Sequence, residues 1–140
     1  MDYSSIVESG ESMNKSIKRL PDSELEIMLI MWEANEPVTS AYISEKLKDK
    51  KEWKITSVLT FLARLTEKGF ITSRREGKIN IYSAVIDEQD YLENESKTFL
   101  EKLYGNSLTT FVTSLYKSNA ISQKDLTELR QFIDKAAKGE

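Results

Sequence analysis

Apolar residues recur at helical spacing along most of this chain, and the period changes once, just after Leu65. Val58, Leu62 and Leu65 fall at i, i+4 and i+7, which makes one apolar stripe and leaves Thr56, Ser57, Thr60 and Arg64 to other faces. Gly69 is expected to stop this helix, because glycine enters the left-handed region without a Cβ clash. Lys68, just before it, suits the negative end of the helix dipole. Phe70-Ile71 and then Ile79 and Ile81 read as strand residues on either side of a basic turn, Arg74-Arg75-Glu76-Gly77-Lys78.

Upstream, the pattern predicts a helix from about Asp22 to Asn35 with Leu25, Met28, Leu29 and Trp32 buried. Asp22, Glu24 and Glu26 sit at its positive end, and Pro21 suits a first turn whose N–H groups are unpaired anyway. Glu36-Pro37 breaks it. Thr39 can cap a second helix to about Lys48, with Tyr42, Ile43 and Leu47 inward, and residues 49–52 read as a solvated loop. Trp53 is expected to pack against the third helix rather than stack on a base, as a lone tryptophan at a helix start usually does. Residues 1–19 lack sustained periodicity and read as a mobile tail, in which Met13 is a plausible alternative start. Its Lys15, Lys18 and Arg19 are expected to be solvated rather than to reach a partner. Three helices followed by a basic hairpin spell a winged helix-turn-helix over residues 20–86, with 74–78 as the wing.

Downstream, Asp87 can cap a long helix to about Tyr104 that carries Leu92, Phe99, Leu100 and Leu103. Gly105-Asn106 interrupts it, and a short helix from Leu108 to about Tyr116 carries Phe111, Val112 and Leu115. The last helix begins at Ser122-Gln-Lys-Asp125, close to a capping box, and carries Leu126, Leu129, Phe132 and Ile133. Three such helices cannot bury their stripes alone. Residues 87–138 are therefore expected to form a helical dimerisation domain, with Leu100, Leu103, Phe111, Val112, Leu115, Leu129, Phe132 and Ile133 at the two-fold interface. The fold class is mainly α with a small β-hairpin wing.

Composition removes most other functions. The 140 residues are 39% hydrophobic and 31% charged, ordinary for a globular protein, and no apolar run approaches the ~20 residues that cross a bilayer. The first residues lack a basic-then-apolar layout, so a cytoplasmic location without membrane insertion is expected. The chain has no cysteine and no histidine, which excludes disulfides and thiolate metal sites and removes the usual general base. No enzymatic activity and no cofactor are expected.

The net charge of −3 is unevenly spread. Residues 53–82 hold six basic side chains (Lys54, Arg64, Lys68, Arg74, Arg75, Lys78) against Glu67 and Glu76, while residues 87–140 hold seven basic against ten acidic. A local positive patch is what phosphate neutralisation needs, because charges beyond a Debye length of ~10 Å are mostly screened. A helix in a B-DNA major groove presents its N-terminal residues to base edges first, here Lys54, Thr56, Ser57 and Thr60, with Arg64 a turn further on. Hydroxyls can bond several bases or a phosphate, and a threonine methyl can pack on a thymine methyl. Arg74, Arg75 and Lys78 would hold phosphates and set register without reading sequence.

From about residue 20 to 138 the chain resembles the penicillinase repressors, the BlaI/MecI group of β-lactam-resistance regulators. The resemblance rests on Leu25-Glu-Ile-Met28 with Trp32, and on Trp53, Val58, Thr60, Leu62, Arg64-Leu65 and Lys68-Gly69. Tyr82, Ile86-Asp-Glu-Gln-Asp-Tyr91 and Ser96-Lys-Thr-Phe99 extend it. It implies a homodimeric repressor whose winged helix binds double-stranded operator DNA, a palindrome of the TACA…TGTA type. It also implies a partner, a membrane-bound β-lactam-sensing metalloprotease, whose signal leads to cleavage within the dimerisation helices. The best-known scissile bond of the family is Asn–Phe, and Ser114–Leu115 stands at the matching position. Where the family usually has serine after the helix-three tryptophan this chain has Lys54, and where lysine and threonine are common it has Thr56 and Ser57. The lack of cysteine separates it from the copper-responsive branch. Two other readings remain: a winged-helix repressor released by a small ligand, and a winged-helix protein-interaction module with no DNA role.

Overall fold

A computed structural model of the chain describes residues 17–139. The elements in order are α1 (Asp22–Ala34), α2 (Ser40–Leu47), α3 (Ile55–Glu67), β1 (Ile71–Glu76), β2 (Ile79–Ala84), α4 (Glu88–Tyr104), α5 (Leu108–Lys117) and α6 (Gln123–Ala137). The chain divides into two compact units between Glu95 and Ser96. Met13 and Lys15, assigned above to a tail, lie outside the described residues.

The first unit is a three-helix core closed by a hairpin. Ile27, Met28 and Met31 of α1, Ile43 and Leu47 of α2, and Val58, Leu62 and Leu65 of α3 are all buried together with Phe70, Ile71 and Tyr82. The stripe expected on α3 is the one observed. That expected on α1 is rotated: Leu29 is 42% exposed and Leu25 and Trp32 are half-buried, while Ile27, Met31 and Glu24 go inward. Apolar residues lie on most sides of α1, so periodicity alone could not choose its face. Tyr42, expected inward, is exposed, with Lys46 Nζ 5.6 Å from its ring centroid.

Glu24 is buried, and its Oε1 meets Lys68 Nζ at 2.5 Å. A buried carboxylate needs a hydrogen-bonded cation, so this pair ties the first turn of α1 to the C-cap of α3. The α3 terminus turns as expected at Gly69, whose φ is 83°. Phe70 N donates to Leu65 O (2.9 Å) and Gly69 N to Thr66 O (3.1 Å), the pair of bonds that defines a Schellman close. It aims the chain directly into β1.

β1 and β2 are antiparallel, with Glu76 opposite Ile79, so the turn is only Gly77-Lys78. Gly77 has a φ of 64°, as a two-residue loop with glycine first requires. The basic turn of the sequence reading is thus corrected: Arg74 and Arg75 are β1 residues, because strand pairing continues past them. Val38 adds a short third rung on β2, exchanging two backbone bonds with Tyr82 at 2.9 and 2.8 Å.

The first turns of α4 also belong to this unit. Tyr91 is buried 5.7 Å from the Trp32 ring and 5.8 Å from that of Phe70, and its hydroxyl accepts from Leu20 N at 2.9 Å. Burial pushes the Tyr91 phenol above its ordinary value of 10.0. Asn94 Nδ2 donates to Ile17 O (2.9 Å), and Arg19 pairs with Glu95 (3.0 Å). Ile17 is buried, so residues 17–19 are docked here, not part of a tail. The compact unit accordingly reaches beyond residue 86.

The second unit holds the end of α4, α5 and α6. Gly105 and Asn106, with φ of 54° and 68°, break the helix, and Ser107 caps α5 through Thr110 N at 3.1 Å. Phe99, Tyr104 and Phe111 gather with ring centroids 5.3–5.9 Å apart. Ser122 and Asp125 form the expected capping box at the start of α6. No residue of α5 or α6 is buried.

Candidate nucleic-acid interface

Helix α3 carries its polar candidates on the side away from its buried stripe. Thr56, Thr60 and Arg64 follow one another at four-residue intervals and are exposed, with Ser57 half-buried beside them. Lys54 occupies the N-cap position but supplies no capping side chain, so the positive end of α3 keeps uncapped amides. Such an end favours a phosphate. Thr60 Oγ1 donates to Thr56 O at 3.0 Å, which spends its proton within the helix. What remains to an outside partner is an acceptor oxygen and the methyl group. Arg64 lies with Cζ 5.9 Å from the Phe61 centroid, and Phe61 meets Trp53 edge-on at 5.1 Å. Trp53 is therefore packed, as expected.

On the wing, Arg74 and Arg75 alternate across β1. Arg74 shares a face with Glu76, and Glu76 Oε2 accepts from its Nε (3.0 Å) and Nη2 (2.6 Å). Arg75 stands on the opposite face, across from Asn80, and Lys78 is at the turn. Among the described residues neither has an ion-pair partner within 4.0 Å.

The positive patch is thus smaller than its residue count. Lys68 is consumed by the buried Glu24, and Arg74 is neutralised by Glu76. Lys54, Arg64, Arg75 and Lys78 remain. Lys51, left above to a solvated loop, lies with Nζ 6.0 Å from the Trp53 ring and adds a cation beside the start of α3. The signal for it was the adjacent tryptophan. Lys18 is exposed, whereas Arg19 is held by Glu95. Among the described residues no acidic cluster suited to a metal ion occurs.

The first unit also has a cleft of about 380 Å³ whose lining includes Met31, Trp32, Pro37, Val85 and Ile86 together with Glu36, Asp87 and Glu88. Trp32 Nε1 is bound to Ile86 O at 2.9 Å and fixes one wall. Three carboxylates make it unsuitable for DNA.

The residues expected to make the dimer are on the surface of the single chain. Leu103 and Phe132 are 65% and 66% exposed, Ile133 is exposed, and Leu100, Phe111, Val112, Leu115 and Leu129 are half-buried. Ser114 and Leu115 lie inside α5, where Ser114 Oγ donates to Thr110 O at 3.0 Å.

A family model described as "Penicillinase repressor" matches residues 20–135. The chain is 32% identical over 120 residues to the penicillinase repressor of Bacillus licheniformis, covering 86% of this chain and 93% of that protein. To the methicillin resistance regulatory protein MecI of Staphylococcus aureus it is 28% identical over 123 residues, covering 88% and 99%. A solution structure of monomeric Bacillus licheniformis BlaI in complex with the blaP half-operator is 31% identical, covers 54% of this chain and 90% of that one, and superimposes with a TM-score of 0.46.

Proposed function

The chain belongs to the penicillinase repressor family, and from that premise we propose that it acts as a homodimer on a palindromic operator of the TACA…TGTA type controlling β-lactam-resistance genes. Its family is one of DNA-binding repressors, not of enzymes. In this reading α3 enters the major groove, Lys54, Thr56, Ser57, Thr60 and Arg64 meet base edges and nearby phosphates, and the wing cations Arg74, Arg75 and Lys78 hold the backbone. The observation that carries it is the exposed line Thr56, Thr60, Arg64 beginning at an uncapped helix end. Among the described residues no helix is long and apolar enough to cross a membrane, which suits a repressor working in the cytoplasm.

Leu100, Leu103, Phe111, Val112, Leu115, Leu129, Phe132 and Ile133 would close the two-fold interface. Linking two weak heads raises apparent affinity by about 10²–10⁴ when both engage at once. Release follows a cut at Ser114–Leu115 once a membrane-bound β-lactam-sensing metalloprotease has signalled. Cutting inside a helix requires local opening, which the break at Gly105-Asn106 assists. Salt titration of DNA binding tests the first half: phosphate contacts make log K fall steeply with log salt, and a flat response would favour a protein-interaction module.

The acidic cleft beside Trp32 favours a second reading, release by a neutral or cationic small ligand, since its volume of about 380 Å³ suits such a molecule. Immunoblots of induced cells separate the two. Cleaved repressor supports proteolysis, and intact repressor with a derepressed operator supports the ligand.

A further inference from the structure

The two adjacent wing arginines are in opposite states. Strand alternation puts Arg74 and Glu76 on one face of β1, opposite Ile81 and Ile79, and Glu76 Oε2 accepts one bond each from Nε and Nη2 of Arg74, which occupies that edge of the guanidinium. Arg75 faces the other way, across from Asn80. Arg74 and Glu76 are both more than half exposed, at 57% and 55%, so their ion pair is weak enough to be exchanged for a phosphate. The Nη1 N–H groups stay outside the pair, but a phosphate gains the forked Nε–Nη2 edge of Arg74 only if it displaces the carboxylate, in a position that offsets the repulsion it meets from Glu76.

From this we propose that Glu76 is a specificity-determining residue of the winged helix, holding Arg74 back from DNA on which α3 is not seated. The inference rests on the DNA-binding reading above. A head on random sequence is held by phosphates alone and has no fixed register, so the phosphate seldom stands where it can replace the carboxylate. When α3 engages base edges the wing register is set, and Arg74 transfers from Glu76 to the backbone. Glu76 therefore lowers random binding more than operator binding. It acts through Arg74 and is a positioning residue.

The test uses the full chain, fluorescence anisotropy, and two duplexes of equal length, one a TACA…TGTA palindrome and one scrambled. Glu76→Gln is expected to tighten binding to the scrambled duplex by about three- to tenfold and to the palindrome by less than about twofold. Its log K against log salt on scrambled DNA steepens by about one, the mark of an extra phosphate contact. In an Arg74→Ala background most of the gain disappears. Equal tightening on both duplexes, or a gain that persists without Arg74, would overturn the proposal by reducing Glu76 to a general repulsive charge. A wild-type protein that binds both duplexes alike counts against the operator reading, and the Arg74-dependence of the gain on scrambled DNA still decides whether Glu76 holds Arg74.

Discussion

The winged unit and the C-terminal helices use the same kind of amphipathic helix and do opposite things with it. In α3 the stripe Val58, Leu62, Leu65 is buried against α1, α2 and the start of the hairpin, whereas α5 and α6, striped as clearly and better capped, have no fully buried residue and leave their stripes half-buried or exposed. A solvent-facing Phe132 and Leu103 are large apolar surfaces with no cover of their own. Periodicity thus says which face of a helix is apolar, while only the neighbouring elements say whether the same chain covers it. In the first unit, exposed polar side chains follow from that cover. In the second, exposed apolar ones follow from its absence.

The strongest way to break this contrast is to remove the second unit's surface. A chain ending at Ser114 is expected to become monomeric by analytical ultracentrifugation and to lose about 10²–10⁴ in operator affinity, while its winged unit keeps its fold. A truncated chain that stays dimeric and binds tightly would sink the release mechanism. Next in size is the charge sealed inside the first unit. Lys68→Met leaves Glu24 buried and alone, which should cost about 3 kcal/mol of stability, read from chemical denaturation of the first unit. The same change in a surface pair such as Lys48–Glu45 should cost less than about 1 kcal/mol.

Smaller effects separate the parts of the interface. Arg75→Ala and Lys78→Ala should weaken palindromic and scrambled DNA alike, each by about three- to tenfold, and lower the salt slope by about one. Thr60→Ala should weaken only the palindrome, by about tenfold, since it removes a methyl and an acceptor oxygen that would meet bases in the proposed docking. The smallest effect is a pH dependence confined to the first unit. Tyr91 has its phenol raised above 10.0 by burial, so its contribution is complete below that pH and is lost as pH rises through the folded value. Tyr91→Phe should flatten the alkaline end of the stability curve at a cost of about 1 kcal/mol at neutral pH, for the hydroxyl bond to Leu20 N.

Local signals carried most of the element boundaries. Gly69, Gly105-Asn106, Thr39, Ser107 and the Ser122–Asp125 box stop or start helices through backbone geometry and hydrogen bonds that span a few residues, so the sequence by itself determined them. The polar line on α3 was legible for the same reason, because a single clean stripe leaves one opposite face. Only the tertiary structure decided the rest. Apolar residues on most sides of α1 left its inward face to packing, which chose Ile27 and Met31 over Leu29. Lys68 counted as a free cation until a carboxylate 44 residues away took it, whereas the Arg74–Glu76 pair, two residues apart on one strand face, lay within local reach of the sequence. Val38 joined β2, and Ile17 and Tyr91 joined the winged unit, through partners distant in sequence. Caps and turns are decided within one turn of chain, whereas burial and ion pairing depend on which surfaces the fold brings together, and no local pattern encodes that choice.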